Sequence, residues 1–182
     1  MKGIIFSEPM FNAVIDGRKT QTRRIMTPQP KSDLIAKYHC NPRYKAGEIV
    51  YLKEPYLPIM RTIYKYDGGD YDPKLKWKNK LFMMERYARY FIEITAVRCE
   101  RLQDISDDDC LKEGIEELNA GEIIPNYQDY IQYSNGDEYN YDTPQKAYAA
   151  LINKINGKGT WESNPFVWVY DFKLTDKQTN NE

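Results

Sequence analysis

FIEITAVRCERL, from Phe91 to Leu102, reads as a long β-strand: β-branched and aromatic residues crowd its first half, the composition that suits a pleated, half-buried surface. Its apolar period shifts between Ala96 and Val97, as a bulge requires. Downstream, Ser106-Asp107-Asp108-Asp109 signals a helix start, since a serine can cap and aspartates favour the positive end of the macrodipole. That helix carries Cys110, Leu111 and Glu113 and stops at Gly114. Residues 116–143, rich in Tyr, Asn and Asp without a period, form an insertion with no assigned order. Thr143 and Pro144 open a last helix whose apolar stripe is Ala147, Tyr148, Leu151, Ile152 and Ile155, ended by Asn156-Gly157. A terminal strand, Phe166 to Phe172, precedes a polar tail, 175–182, expected to be disordered.

Upstream, the apolar run Lys2 to Phe6 is followed by Ser7, Glu8 and Pro9, an N-terminal helix signature. Met10, Phe11, Val14 and Ile15 make one apolar face of that helix, and Gly17 ends it. Residues 18–26 read as extended, with Thr20, Thr22 and Arg24 on one side and Lys19, Gln21 and Arg23 on the other. Pro28, Pro30 and Pro42 mark a long loop, Glu48 to Lys53 a strand closed by Pro55. Residues 56–80 alternate strand and turn around Gly68-Gly69 and end in a basic run, Lys74 to Lys80. Several strands with a few short helices and no regular βαβ alternation argue for α+β, built round a small curved sheet or barrel.

At 182 residues the chain fits one domain, 1–174 with the insertion inside it, and buries about 70% of its unfolded surface without disulfides or a structural metal. Cys40, Cys99 and Cys110 are odd in number and far apart, which fits reduced thiols and a cytoplasmic protein. No apolar run approaches the length of a membrane span, so no membrane partner is expected. Lysine and arginine (26) balance aspartate and glutamate (27), so any nucleic-acid contact is local rather than a broad basic face. His39 is the sole histidine, which argues against a histidine triad or a multi-histidine metal site.

Lys19, Thr22 and Arg23 offer an amine, a hydroxyl and a guanidinium within five positions. A threonine hydroxyl is a weak nucleophile until a base takes its proton, and a lysine is such a base once burial or nearby cations lower its pKa. The plain alternative is a solvated edge strand with its charges guarding against aggregation. Glu113 falls at a helix C-terminus, where a carboxylate is electrostatically disfavoured, or it is simply exposed there. Trp77, set among Lys74, Lys76, Lys78 and Lys80, is the ring best placed to stack on a base, or else part of a surface strand.

Several blocks run in one order along the chain: Ile5-Phe6-Ser7 with Met10, Gly17 to Arg24 (GRKTQTRR), Pro28-Gln29-Pro30, Tyr44 to Glu48, Leu52 to Tyr56, Arg101 to Ser106, Glu113-Gly114-Ile115 and Asn156 to Tyr170. In these the chain resembles the ASCH domain family of the PUA-like superfamily, in particular its phage and prophage-type members. The resemblance implies a small, partly open β-barrel with short helices at its ends and a cleft at the mouth. It implies two activities: RNA binding or, as in a branch of small bacterial members, hydrolysis of N4-acetylcytidine to cytidine and acetate by a lysine, a threonine and a glutamate. Matched to those motifs, the three are Lys19, Thr22 and Glu113. Thr22 then attacks the acetyl carbonyl, Lys19 takes and returns the proton, Glu113 orients the lysine or binds the base, and Arg23 or a backbone N–H holds the oxyanion. Glu54 and Tyr56 stand where the family has Glu-Thr-Trp, here Glu-Pro-Tyr; with Arg86 and Arg89, which precede the long strand, they are further candidates for ligand contact. No cofactor or metal is implied. This chain is longer than the small branch, and 116–143 has no counterpart there. The expectation is an amidohydrolase acting on an acylated nucleoside or related small amide; the rival is a non-catalytic module reading modified or single-stranded RNA.

Overall fold

A computed structural model describes residues 1–32, 36, 41–58, 62–119, 131–134 and 141–176. Among them lie β1 (Gly3–Ile5), α1 (Glu8–Ile15), β2 (Gln21–Ile25), β3 (Ile49–Lys53), β4 (Tyr56–Leu57), β5 (Ile63–Tyr64), β6 (Phe91–Arg101), α2 (Asp107–Lys112), β7 (Glu116–Asn119), β8 (Ile131–Ser134), α3 (Pro144–Asn156) and β9 (Phe166–Thr175). The fold is α+β. Its main sheet has five strands in the order β1-β3-β6-β9-β2, parallel only between β1 and β3.

β6 is the spine of this sheet, pairing with β3 at its start and with β9 along its whole length. The expected bulge is present but earlier, the register shifting between Ile94 and Ala96. β9 runs further than its apolar stretch suggests: Thr175, expected to begin a tail, pairs with Phe91. Residues 177–182 of that tail, with His39 and Cys40, lie outside the described residues. Part of the insertion is ordered as a hairpin of β7 with β8.

The outer strands β1 and β2 share no backbone ladder among the described residues, so pairing leaves the sheet open where a barrel would close. A side chain bridges that seam: Arg24 Nη2 of β2 donates to the Ile5 carbonyl of β1 at 2.7 Å.

Capping explains where the helices begin. Ser106 accepts from the Asp109 N–H and Thr143 from the Lys146 N–H, each satisfying one orphan donor. Ser7 holds the N-cap position of α1 without a side-chain bond; its carbonyl takes the Phe11 N–H. Phe11 and Val14 of α1, and Ala147, Tyr148, Leu151 and Ile152 of α3, pack with the sheet residues Ile92, Ile94, Val167 and Val169 in one core. Ile155, assigned to the same stripe, is 53% exposed and lines an open cavity rather than the core.

Candidate active site

The segment between α1 and β2 is threaded between two helix ends. The Lys19 N–H donates to the Ala13 carbonyl of α1, and the Thr20 N–H to the Lys112 carbonyl of α2, both at 2.9 Å. These bonds satisfy C-terminal carbonyls that a helix leaves unpaired, and they bring Lys19 beside Glu113, the C-cap of α2. Gly114 permits the approach. Its φ is +95°, and a Cβ there would lie 3.4 Å from Met10 Sδ and 3.5 Å from Lys19 Cβ.

Lys19 and Glu113 are both buried. Lys19 Nζ donates to Glu113 Oε2 at 2.6 Å and to the Glu113 carbonyl at 2.7 Å. A carboxylate at a helix C-terminus is unfavourable alone, and the ammonium answers both it and the dipole. Burial pulls the Lys19 amine below its ordinary 10.5; Glu113 opposes that shift, and the cations of Arg24 and Arg23 add to it.

Arg23 anchors the other carboxylate oxygen. Its side chain is fully buried, and its guanidinium makes five hydrogen bonds: to Glu100 Oε1 from Nε and from Nη2, to Asp109, to Glu113 Oε1 and to Gln21 Oε1. Five bonds use all five of its donors. Arg23 therefore borders the cavity with all five donors engaged, and holds Glu113 in place. Against the cost of burial, Glu113 and Glu100 keep it charged.

These side chains open on a cavity of about 280 Å³ at the seam, bounded by Phe6, Met10, Lys19, Thr22, Arg24 and Tyr148 among others. Thr22, in register with Tyr170, is buried, and its hydroxyl makes no hydrogen bond among the described residues. The Tyr148 hydroxyl, itself buried on a residue only 1% exposed, has no hydrogen-bond partner among the described residues. Burial, then the Glu113 charge, raises its phenol well above 10, so it stays a donor. Arg24 lies over the Phe6 ring, 5.3 Å from its centroid. Lys80, the last residue of the basic run, reaches in to donate to the Phe6 carbonyl at 2.6 Å.

Tyr148 and Arg24 are functional candidates for ligand contact that the sequence alone does not single out. Tyr148 belongs to the apolar stripe of α3, where a tyrosine is also ordinary core. Arg24 shares a strand face with Thr22, and that alternation was the available signal.

The remaining candidates gather elsewhere. Glu54 is fully buried and takes two bonds from Arg89, Nε to Oε1 and Nη2 to Oε2, each 2.7 Å; Arg89 also pairs with Asp67 and lies over the Tyr64 ring. Tyr56 packs on Tyr87, their ring centroids 5.0 Å apart, and Arg86 covers the same Tyr87. None of Glu54, Tyr56, Arg86 or Arg89, the further candidates for ligand contact, lines this cavity; each is engaged by its neighbours in this cluster. Trp77 meets Tyr71 edge to face. Among the described residues no three His, Cys, Asp or Glu side chains are grouped so as to hold a metal ion, and no helix is long and apolar enough to cross a membrane.

No family model and no curated protein matches the chain. Among solved structures it is similar to protein EF3133 from Enterococcus faecalis V583, described by the family model DUF984, with a TM-score of 0.46 and 11% identity over 100% of this chain and 86% of that one.

Proposed function

We propose that this protein is a hydrolase of an acylated nucleoside or related small amide, with chemistry of the N4-acetylcytidine amidohydrolase type on an ASCH-like, partly open barrel. One observation carries the reading: a threonine hydroxyl without a hydrogen bond among the described residues and a buried lysine–glutamate pair border the same cavity. A buried lysine with a lowered pKa suits a base, and a buried hydroxyl that no neighbour occupies suits a nucleophile.

In this mechanism Thr22 Oγ1 attacks the acyl carbon while its proton passes to the neutral Lys19 amine. Tyr148 and Arg24 donate to the oxyanion that forms, in the part first expected of Arg23. The C–N bond then breaks, the leaving amine takes the proton from Lys19, and the acyl group stays on Thr22 as an ester. Water, deprotonated by Lys19, attacks that ester, releasing the carboxylic acid and restoring the threonine. Glu113 fixes the amine and balances its charge whenever it is protonated.

The test is to incubate the protein and its Thr22→Ala variant with N4-acetylcytidine and follow cytidine release by chromatography. Release by the wild type alone supports the reading and its nucleophile. Equal release by both removes Thr22 from the mechanism, and release by neither favours a module that binds modified RNA without turnover.

A further inference from the structure

Across Arg24 from the cavity lies a second depression, of about 540 Å³. The two share Ile5, Arg24 and Ile25, so Arg24 stands at their common wall. Arg24, Arg43 and Lys53 line the second one beside Tyr44 and Trp168, and among the described residues no aspartate or glutamate does.

No carboxylate among the described residues holds any of these cations directly. Among the described residues none of the three forms an ion pair: Arg24 donates to the Ile5 carbonyl, Lys53 to the Leu81 carbonyl, and the Arg43 guanidinium lies 5.5 Å from the Tyr44 ring centroid. Arg18, Arg23, Arg89 and Arg98, by contrast, each bind at least two carboxylates. The groups even oppose one another, since partial burial and then the Arg43 charge hold the Lys53 amine below its usual value. In a chain of net charge -1, three cations without an ion pair among the described residues on one concave wall give it a local positive potential.

We propose that this groove binds the phosphate monoester of a nucleotide whose base enters the Lys19–Thr22 cavity, with Arg24 spanning the two. The choice of a nucleotide rests on the acyl-nucleoside reading above; the anion site stands on the groove alone. A monoester carries nearly two negative charges, which a compact group of three cations answers. A polynucleotide path needs cations spread along a surface, and the balanced charge of this chain does not supply them.

Equilibrium binding tests this without turnover. The intact protein is titrated in a calorimeter, at low and moderate salt, with cytidine 5′-monophosphate, cytidine, inorganic phosphate and a short single-stranded oligoribonucleotide. The Arg43→Ala variant is titrated alongside; Arg43 is exposed, so its folding is secure, and circular dichroism checks it. The nucleotide is expected to bind about tenfold or more tighter than cytidine, to weaken as salt rises, and to lose that advantage in Arg43→Ala. Equal affinity for nucleotide and nucleoside, or an unchanged Arg43→Ala, overturns the anion site. Phosphate binding as tightly as the nucleotide overturns the nucleotide, and tighter binding by the oligoribonucleotide overturns the monoester in favour of a strand. Absence of N4-acetylcytidine hydrolysis counts against the proposed function and leaves these titrations as they are.

Discussion

Lys19 and Glu113, 94 positions apart in the chain, are joined twice by one ammonium, which donates at 2.6 Å to the carboxylate and at 2.7 Å to the backbone carbonyl of the same residue. The first bond balances charge, and the second fixes the lysine to the end of α2. Together with Arg23 on the other carboxylate oxygen, they make Glu113 the point where β2 and α2 are tied together.

Removing one partner should cost far more than removing both. Glu113→Leu leaves a buried ammonium facing only a carbonyl, and a lost buried partner typically costs about 3–5 kcal/mol. The double variant Lys19→Met/Glu113→Leu replaces the pair by apolar volume and should be less destabilised than the two single changes summed. Urea denaturation of the four proteins measures the coupling. Strict additivity would show that the two charges do not depend on each other.

The same burial fixes a pH dependence. Lys19 has a folded pKa below the 10.5 of an unfolded lysine. As pH rises through the folded value, the native protein releases a proton that the unfolded chain holds until 10.5, so the Lys19 contribution to stability increases over that window. The stability of the wild type relative to Lys19→Met should therefore rise as pH climbs from the folded value toward 10.5. Hydrolysis should rise along the same limb, because the neutral amine is the base. A difference that falls with pH in the urea midpoints would mean that Lys19 is stabilised as a cation.

Sequence periodicity revealed the elements whose signals are local. The helices at Asp107 and Pro144 begin where Ser106 and Thr143 can cap, and β6 carries its bulge close to the shift in apolar period. Pairing between distant segments left no such mark. The β7–β8 hairpin and the extension of β9 to Thr175 are set by cross-strand partners, which a period of two does not name. The site divides similarly. Lys19, Thr22 and Glu113 were matched through motif blocks, and folding brings them to one cavity. The engagement of Arg23 by Glu100 and Asp109, and of Arg89 by Glu54, depends on contacts 35 to 86 residues apart.

Glu54 and Arg89 should behave as a structural pair. Burial raises the Glu54 carboxyl above 4.5, and the Arg89 hydrogen bond and charge oppose that rise. Arg89→Ala strands a fully buried carboxylate, so stability should fall by roughly 3 kcal/mol at neutral pH. A folded pKa raised further means that the native state takes up a proton before the unfolded chain does. The deficit of Arg89→Ala should therefore shrink as pH falls toward 4.5. Thermal unfolding at pH 7 and pH 5 reads both effects; a deficit independent of pH would assign the loss to the Arg89 packing over Tyr64 instead.

Tyr148 separates stability from activity most directly. Its hydroxyl is buried without a hydrogen-bond partner among the described residues, and an unsatisfied buried group costs about 1–3 kcal/mol. The ring itself is well used, packing edge to face with Trp161 within the core. Tyr148→Phe keeps the ring and removes the penalty, so it should match or exceed the wild type in stability, by up to about 1 kcal/mol. If the hydroxyl donates to the oxyanion, the same change should lower kcat by about 10²-fold, within the range for loss of one such donor. Thermal unfolding and steady-state hydrolysis on the one variant measure both. A more stable protein with reduced turnover identifies a hydroxyl kept for the reaction, whereas a less stable protein with unchanged turnover assigns Tyr148 to the core alone.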